Sequence, residues 1–331
     1  ALDLLDKVLE VYHAPLLQEH EFDGLKESIV QSFNSNLISP NKTMVSWLQH
    51  LWNDDPKGHW DKPLLLQETL EYLNALDYES VCASLAWMSK PGLARATIVG
   101  DVTRENVEMW SNRCTQTYSL AAQAQNAPFE YKPYGAKMVT QGVHRVEMGD
   151  GPDGLVMARL SMLSEGFHVA EPALQLAMHV LGGSSLSRLW TRVREKDGVA
   201  YSVSSESVFG GPHQPMSHVR LWASCPGEKV EHTYASLEQE WQRFVTQGIT
   251  EDELKDAKSY FFNKYSAAKD QDQVYANVMH QSSRTGKDYG WLNNFLETQQ
   301  ILTLADVNEA IQLHLKDTPI QWATARSAVA P

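Results

Sequence analysis

Two polar side chains that can contact a peptide, Arg194 and Tyr201, lie seven residues apart in one densely patterned stretch of the sequence. A planar guanidinium and a phenol both donate hydrogen bonds, so together they can hold peptide carbonyl oxygens or an oxyanion formed from one. Each also has a simpler interpretation, because an arginine near a helix end can complement the helix dipole and a tyrosine can pack in a strand. The residue types alone leave substrate contact and these structural roles both open.

The surrounding pattern predicts that these residues lie at the junction of a helix and a strand. Ser184 or Ser185 is expected to cap a short helix that Gly198 ends. The expected apolar face of this helix consists of Leu186, Leu189, Trp190 and Val193. Beyond the glycine, alternating residues predict the opening of a strand, namely Val199, Tyr201 and Val203. Arg194 therefore falls in the last helical turn, and Tyr201 falls at the start of the strand.

Two adjacent glycines, Gly182 and Gly183, end the apolar run that precedes this stretch. Glycine tolerates the left-handed conformation that closes many helices, which is the expected role here. Close packing is a second structural role, and no phosphate-binding loop pattern surrounds the pair. We therefore expect the glycines to be structural.

The stretch at residues 181–203 resembles the C-terminal signature of the insulinase/pitrilysin-type zinc metallopeptidases. The matching residues are Gly-Gly at 182–183, Ser-Arg-Leu at 187–189, Arg-Glu-Lys at 194–196 and Ala-Tyr-Ser-Val at 200–203. The resembled family includes the mitochondrial processing peptidases and the core proteins of respiratory complex III. The resemblance implies that Arg194 and Tyr201 reach across a chamber towards the substrate, and that the zinc site belongs to a different domain.

Active members of that family bind zinc through His-x-x-Glu-His on a helix, with a glutamate further along. Two histidines one turn apart can ligate one ion, and the glutamate between them activates the bound water. None of the twelve histidines falls in such a motif, and the nearest approach, residues 168–172, has proline in the final ligand position. We expect no metal ligand and no catalytic residue in this chain, with zinc held by the rest of the enzyme or by a partner.

Composition narrows the classes of function further. The formal net charge of −13 argues against nucleic acid as a partner, because such proteins need a clustered basic face. The three cysteines, Cys82, Cys114 and Cys225, form neither an even disulfide framework nor a Cys-x-x-Cys motif. No apolar run approaches the roughly 20 residues that span a membrane. Because the chain opens on a helical pattern without an initiating methionine, we expect it to begin inside a larger protein.

The domain organisation follows from how helices and strands alternate along the chain. Residues 1–119 are predicted to be helical apart from one strand at 94–99, which is typical of half a domain. Residues 120–141 carry loop signals and are predicted to be a linker. Residues 142–331 are predicted to form four paired strands, a set of helices and a closing strand at 321–325. The expected fold class is α+β, with metallopeptidase-like repeats that each pack a mainly antiparallel sheet against several helices.

An internal repeat supports this division. Residues 21–34 resemble residues 250–263 without gaps, and residues 76–81 resemble residues 302–307. In this alignment Leu25, Lys26, Phe33 and Asn34 fall on Leu254, Lys255, Phe262 and Asn263. The segment 1–119 is then the C-terminal half of one repeat, and 142–331 is a complete repeat that carries Arg194 and Tyr201.

By resemblance, the chain is the non-zinc-binding C-terminal part of a zinc metalloendopeptidase that degrades or processes peptides in a closed chamber. The expected partners are a peptide or unfolded polypeptide substrate and the missing zinc-bearing half, in the same polypeptide or in a partner subunit. The alternative is a catalytically inactive subunit or structural protein of the same family, and a third interpretation is an unrelated helical binding module. We expect a periplasmic location, since large bacterial relatives are often exported.

Overall fold

The computed structural model describes residues 6–8, 10–11, 16–53, 56–59, 62–88, 97–122, 140–147, 152–163, 167–209, 216–284 and 290–326. The chain divides into two compact units. The first unit comprises Ala1–Asn34, Glu68–Lys132 and Ala268–Gln281. The second unit comprises Ser35–Gln67, Pro133–Ala267 and Ser282–Pro331.

The first unit is built from helices. Its main elements are α1 (Glu19–Leu37), α3 (Leu66–Ala75), α4 (Tyr78–Met88), α5 (Arg104–Ala122) and α9 (Asp272–Arg284). Phe22 is buried at the edge of the Tyr78 ring, with 6.0 Å between the ring centroids. The Tyr78 hydroxyl donates to the Leu17 carbonyl at 2.7 Å, which fixes α4 beside the start of α1. None of the residues described in this unit lies in a strand.

The second unit contains a five-stranded sheet in the order β1-β5-β2-β4-β3. The strands are β1 (Gly142–Glu147), β2 (Asp153–Leu163), β3 (Ser202–Val208), β4 (Met216–Pro226) and β5 (Ile320–Arg326). Only the β1–β5 pair is parallel among the described pairings, and the other three pairs are antiparallel. The predicted α+β class with a mainly antiparallel sheet is therefore confirmed.

One face of the sheet packs on a layer of helices. The helices and helical segments described after β1 and β2 in this unit are α6 (Phe167–Gly182), a π-helical segment (Trp190–Lys196), a 3-10 turn (Gly227–Lys229), α7 (Val230–Gln247), α8 (Glu251–Lys269), α10 (Trp291–Ile301), α11 (Leu304–Ile311) and a second π-helical segment (Gln312–Lys316). Alternate residues of β2, from Val156 to Met162, are buried against this layer with Leu181, Phe244 and Ile311. Because successive side chains of a strand point to opposite faces of the sheet, these alternate residues all face the same core.

The opposite face of the sheet is partly covered by α2 (Pro40–Leu51), a helix from the early part of the sequence. Met44 and Leu48 are fully buried against Leu155 and Met157, the β2 residues that point away from the first core. Beside them, the Trp52 indole N–H donates to the Gln321 side-chain oxygen of β5. A segment predicted to belong to the first repeat therefore completes the second unit.

The described residues confirm the predicted helices, the four strands after residue 142 and the closing strand, which runs from Ile320 to Arg326. Local signals account for this: the Ser39 hydroxyl accepts from the Lys42 N–H at the start of α2, and Thr250 and Glu253 cap α8 reciprocally. The prediction of a strand at 94–99 is wrong for residues 97–99, the part that the structure describes, because they form no strand. A strand requires a neighbour for its hydrogen bonds, and the described part of the first unit provides none.

The structure corrects the register of the internal repeat. Lys26 donates to the carbonyl oxygens of Asn74 (2.9 Å) and Leu76 (2.7 Å) at the end of α3. Lys258 makes the same pair of bonds at the end of α10, to the carbonyl oxygens of Gln300 (2.9 Å) and Leu302 (2.5 Å). Lys26 therefore corresponds to Lys258, three residues beyond the Lys255 of the gapless alignment. A shift of three residues is nearly one helical turn and keeps the apolar face, so sequence similarity alone chose the wrong register.

The start of the two helices confirms the corrected register. The Gln18 N–H donates to the Glu21 carboxylate, and the Thr250 N–H donates in the same way to Glu253. The domain limits at 119 and 142 stay a prediction: α5 continues to Ala122, and residues 123–139 of the predicted linker lie outside the described residues. Within the described ranges, no helix is long and apolar enough to cross a membrane.

Candidate functional site

The π-helical segment Trp190–Lys196 is anchored by two apolar side chains. Leu189 and Val193 are completely buried in the core under the sheet. Leu186 is 89% exposed, so its predicted place on this apolar face is wrong. The helical residues begin only at Arg188, and the Ser184 hydroxyl accepts from the Leu186 N–H in a turn before it. The serines at 184 and 185 therefore do not cap the helix, because the glycine turn continues further than its sequence indicated.

Arg194 lies on the exposed side of this segment. Its guanidinium carbon is 4.2 Å from the centroid of the Trp190 ring, one turn earlier, which is a favourable cation–π distance. The residue is exposed, and it has no hydrogen bond or ion pair to any described residue. The indole therefore holds the guanidinium while leaving its donors available.

The turn between Arg194 and Tyr201 is closed by Gly198, whose φ of +61° lies in the left-handed region. Asp197 fixes the turn from the other side: its carboxylate accepts from the Ser236 hydroxyl at 2.6 Å and pairs with Arg192 at 3.0 Å. These bonds tie the segment to α7. The predicted helix end at Gly198 is confirmed.

Tyr201 directly precedes β3 and is 56% exposed. Its backbone N–H donates to the Ser224 carbonyl at 2.8 Å, which fixes the main chain beside β4. The neighbouring apolar residues Val199 and Val203 are buried, whereas the tyrosine ring is not packed with them. Its hydroxyl has no partner among the described residues, so strand packing does not account for this side chain.

Glycine is required at positions 182 and 183 because neighbouring atoms lie too close to leave room for a side chain. A Cβ at position 182 would lie 2.4 Å from the Ser205 backbone nitrogen, and a Cβ at position 183 would lie 2.7 Å from the His179 Cα. Neither residue has positive φ, so the expected left-handed conformation is wrong and the expected close packing is confirmed. The Ser205 hydroxyl donates to the Met178 carbonyl at 2.7 Å across this contact. The end of α6 is thereby held against β3, the strand that Tyr201 precedes.

The structure groups no metal ligands in the part of the chain that it describes. In the nearest approach to a zinc motif, Glu171 is 4% exposed and Pro172 lies inside α6. The side chain of His168 is outside the described residues. No described set of residues fits a zinc ion, so no catalytic step is assigned to zinc in this chain.

Trp190 has a second role that its predicted place on the apolar face does not include. It is half-buried and packs against the core as predicted, and its ring also supports Arg194. The spacing of four residues between an aromatic side chain and an arginine on one helix was the signal available in the sequence.

Comparison with known proteins now decides the family. The model of the family described as "Peptidase M16 inactive domain" matches residues 54–261, which include the whole site. The chain belongs to this family. The resemblance to insulinase/pitrilysin-type zinc peptidases is thereby confirmed.

Curated relatives of this M16 chain are distant and longer. An "uncharacterized zinc protease" of Rickettsia bellii is 22% identical over 233 residues, which is 70% of this chain and 52% of the relative. A "non-peptidase homolog", YmxG of Helicobacter pylori, is 25% identical over 150 residues, which is 45% of this chain and 34% of the relative. The match thus spans about half the length of the first relative and about a third of the length of the second.

Solved structures share the fold. A peptidase M16 inactive domain from Pseudomonas fluorescens has a TM-score of 0.78 at 18% identity, covering 99% of this chain and 76% of that one. The periplasmic protease PqqL of Escherichia coli has a TM-score of 0.72 at 16% identity, covering 94% of this chain and 33% of that one. At these identities the likeness concerns the fold alone.

Proposed function

We propose that this chain is the non-zinc-binding C-terminal part of a zinc metalloendopeptidase, and that Arg194 and Tyr201 form part of its substrate-binding wall. The observation that carries the proposal is the exposure of both side chains without hydrogen-bond partners, on a segment that is otherwise firmly fixed. Residues kept only for stability are expected to hydrogen-bond or to form ion pairs where they are polar, and neither side chain does so with any described residue; Arg194 instead contacts the Trp190 ring.

The chemistry of the two side chains suits an extended peptide. The guanidinium of Arg194 presents several N–H donors in one plane, and the Tyr201 hydroxyl adds one more donor. Carbonyl oxygens of a peptide main chain are acceptors for both, and an oxyanion formed from such a carbonyl accepts more strongly. Trp190 orients the guanidinium in advance, which lowers the entropy cost of binding. In this role the chain positions the substrate, and closure of a chamber around it excludes water.

The zinc-bearing half would come from elsewhere, in the same polypeptide or in a partner subunit. The repeat supports this: α2 begins fourteen residues after Lys26 and α9 begins fourteen residues after Lys258. In the second unit α2 covers a sheet face, whereas the described part of the first unit, to which α9 belongs, offers no strand to cover. We infer that the missing half supplies these strands together with the zinc site.

A second candidate function is a catalytically inactive subunit or structural protein of the same family. The relative from Helicobacter pylori, named as a non-peptidase homolog, favours this candidate. Such a protein would retain the fold without handling peptides. The two exposed donors favour the first candidate, since a purely structural subunit has no need for them.

We further propose a periplasmic location. The support is the similarity in fold to PqqL, which is described as a periplasmic protease. Fractionation of cells that express the full-length protein tests this directly, because the protein would be released with the periplasmic contents by osmotic shock. Recovery only with the spheroplasts would refute it.

Peptidase activity tests the main proposal. A quenched fluorogenic, unstructured peptide is incubated with zinc and either this chain alone or the protein with its upstream sequence or partner restored. Activity is expected only in the restored form. Tyr201→Phe and Arg194→Gln should each lower kcat/KM by about tenfold or more, a loss of roughly 1.4 kcal/mol of transition-state stabilisation.

Arg326→Gln provides a matched control. This arginine is likewise exposed and lies in the same unit, but it pairs with Glu147 at the end of β1. It should leave kcat/KM unchanged, and the zinc content should be the same in all variants. Silence of the restored protein would favour the inactive subunit, and activity of this chain alone would show that it holds a metal site of its own.

A further inference from the structure

A pocket of about 460 Å³ lies on the helical side of the second unit, next to the π-helical segment Trp190–Lys196. Its volume is in the range of small-molecule sites. Its lining is unusually rich in cations, which come from residues 188–196 and from α7: Arg188, Arg192, Lys196 and Arg243. Only two carboxylates, Glu240 and Glu253, line it with them.

The most buried cation of the pocket, Arg188, has an unused donor. Its side chain is 11% exposed and pairs with Glu253 through two parallel bonds, Nε to Oε1 at 2.6 Å and Nη2 to Oε2 at 2.7 Å. The third nitrogen, Nη1, is buried and has no hydrogen-bond partner. A buried guanidinium N–H without an acceptor is costly, and an anion in the pocket would satisfy it.

The other cations of the pocket differ in how far they are neutralised. Arg192 pairs with Asp197 at 3.0 Å, whereas Arg243 lies 3.5 Å from Glu240, a long contact. Lys196 has neither a hydrogen bond nor an ion pair with any residue in the described ranges. The ammonium group is thus available to a ligand at the pocket.

The balance of charge favours an anion. Four cations and two carboxylates line the pocket, and Asp197, which pairs with Arg192, brings the formal charge of this group to +1, although the whole chain has a formal charge of −13. Burial raises the pKa of Glu240, against the opposite effect of the nearby Arg243. A local excess of positive charge on an acidic protein is the condition for selective capture of a small anion.

We propose that this pocket binds a phosphate group, either as free inorganic phosphate or as a small phosphomonoester. Arg188 and Arg192 lie one helical turn apart and offer planar donors that suit phosphate oxygens. Lys196, another turn along, and Arg243 from α7 add positive charge from two sides. The remaining volume accommodates a small organic group attached to the phosphate.

Calorimetric titration of the 331-residue chain with inorganic phosphate and with glycerol 3-phosphate tests the proposal. We expect saturable binding with a Kd of about 1 mM or tighter. The double variant Lys196→Gln/Arg243→Gln should weaken it about tenfold or more. Both side chains are exposed, so the variant should fold, which circular dichroism verifies.

Arg145→Gln is the matched control, since Arg145 is 54% exposed and ion-paired much as Arg243 is, but outside the pocket. It should leave the Kd unchanged. Tighter binding of glycerol 3-phosphate than of phosphate would identify the phosphomonoester as the ligand, and the reverse would identify the free ion. Absence of saturable binding, or an equal loss in the double variant and the control, would overturn the proposal.

Discussion

Replacing Gly182 by alanine should destabilise the second unit, although the same change inside most helices stabilises a protein. The new Cβ would lie 2.4 Å from the Ser205 backbone nitrogen and 2.8 Å from its side-chain atoms. The obstacle is backbone in β3, which is paired with β4 along its length and cannot rotate away. The end of α6 must therefore move outward.

The magnitude follows from three contributions. Overpacking of a close contact costs about 1–3 kcal/mol. The outward shift also weakens the bonds from the Ser204 hydroxyl to the Gly182 carbonyl and from the Ser205 hydroxyl to the Met178 carbonyl, at about 1 kcal/mol for each bond lost. Alanine recovers up to about 1 kcal/mol of helix propensity. We expect a net loss of about 2–3 kcal/mol.

Urea unfolding followed by circular dichroism measures this loss. Gly142→Ala is the matched control, because Gly142 is in the same unit and a Cβ there would meet nothing within 4 Å. The control should change the free energy of unfolding by less than about 0.5 kcal/mol. If Gly182→Ala is as stable as the control, the close approach of α6 to β3 does not exist as described and the reasoning fails.

Three further predictions concern the stability of each unit. Lys258→Met should lower the free energy of unfolding of the second unit by about 1–2 kcal/mol in urea titrations, because it removes two charge-assisted bonds to the end of α10; a neutral result would contradict the capping role. Gly24→Ala should raise the thermal midpoint of the first unit, because alanine has a more favourable helix propensity than glycine by about 1 kcal/mol and a Cβ at this position in α1 would meet nothing within 4 Å. A lower midpoint would refute this. Burial disfavours the charged form of the Glu253 carboxylate, but the hydrogen bonds from Arg188 and Thr250 favour it more strongly. The pKa of Glu253 is therefore lowered in the folded protein. Its stabilisation is therefore present above the unfolded pKa of about 4.3 and disappears as the pH falls through the lower folded value, so acid unfolding of Glu253→Gln should depend less on pH in that range.

Local patterns predicted much of the fold and the place of the candidate site. The helix end at Gly198 and the closing strand at β5 both depend on residues within a few positions of one another. Such signals are readable because the interacting groups are close along the chain. The prediction that Arg194 falls in the last helical turn and Tyr201 at the strand start is confirmed for the same reason.

The sequence pattern failed where a contact joins distant segments. It placed Leu186 in a buried face, assigned Gly182 a left-handed turn and aligned Lys26 with Lys255. Local patterns say which residue types favour a helix face or a turn, but not where a helix begins, which neighbour it meets or at what distance. The close approach at Gly182 depends on where β3 passes, more than twenty residues later.

The sequence by itself determined the family of the chain, its α+β class and the segment that carries Arg194 and Tyr201, because each depends on residue types at short and regular spacing. Only the tertiary structure decided that α2 covers the second sheet face and that Lys258 is the counterpart of Lys26. It also decided that four cations meet in one pocket beside two carboxylates. These arrangements depend on how helices dock, and docking is selected by the burial and hydrogen bonding of the whole unit, which no local window of sequence contains.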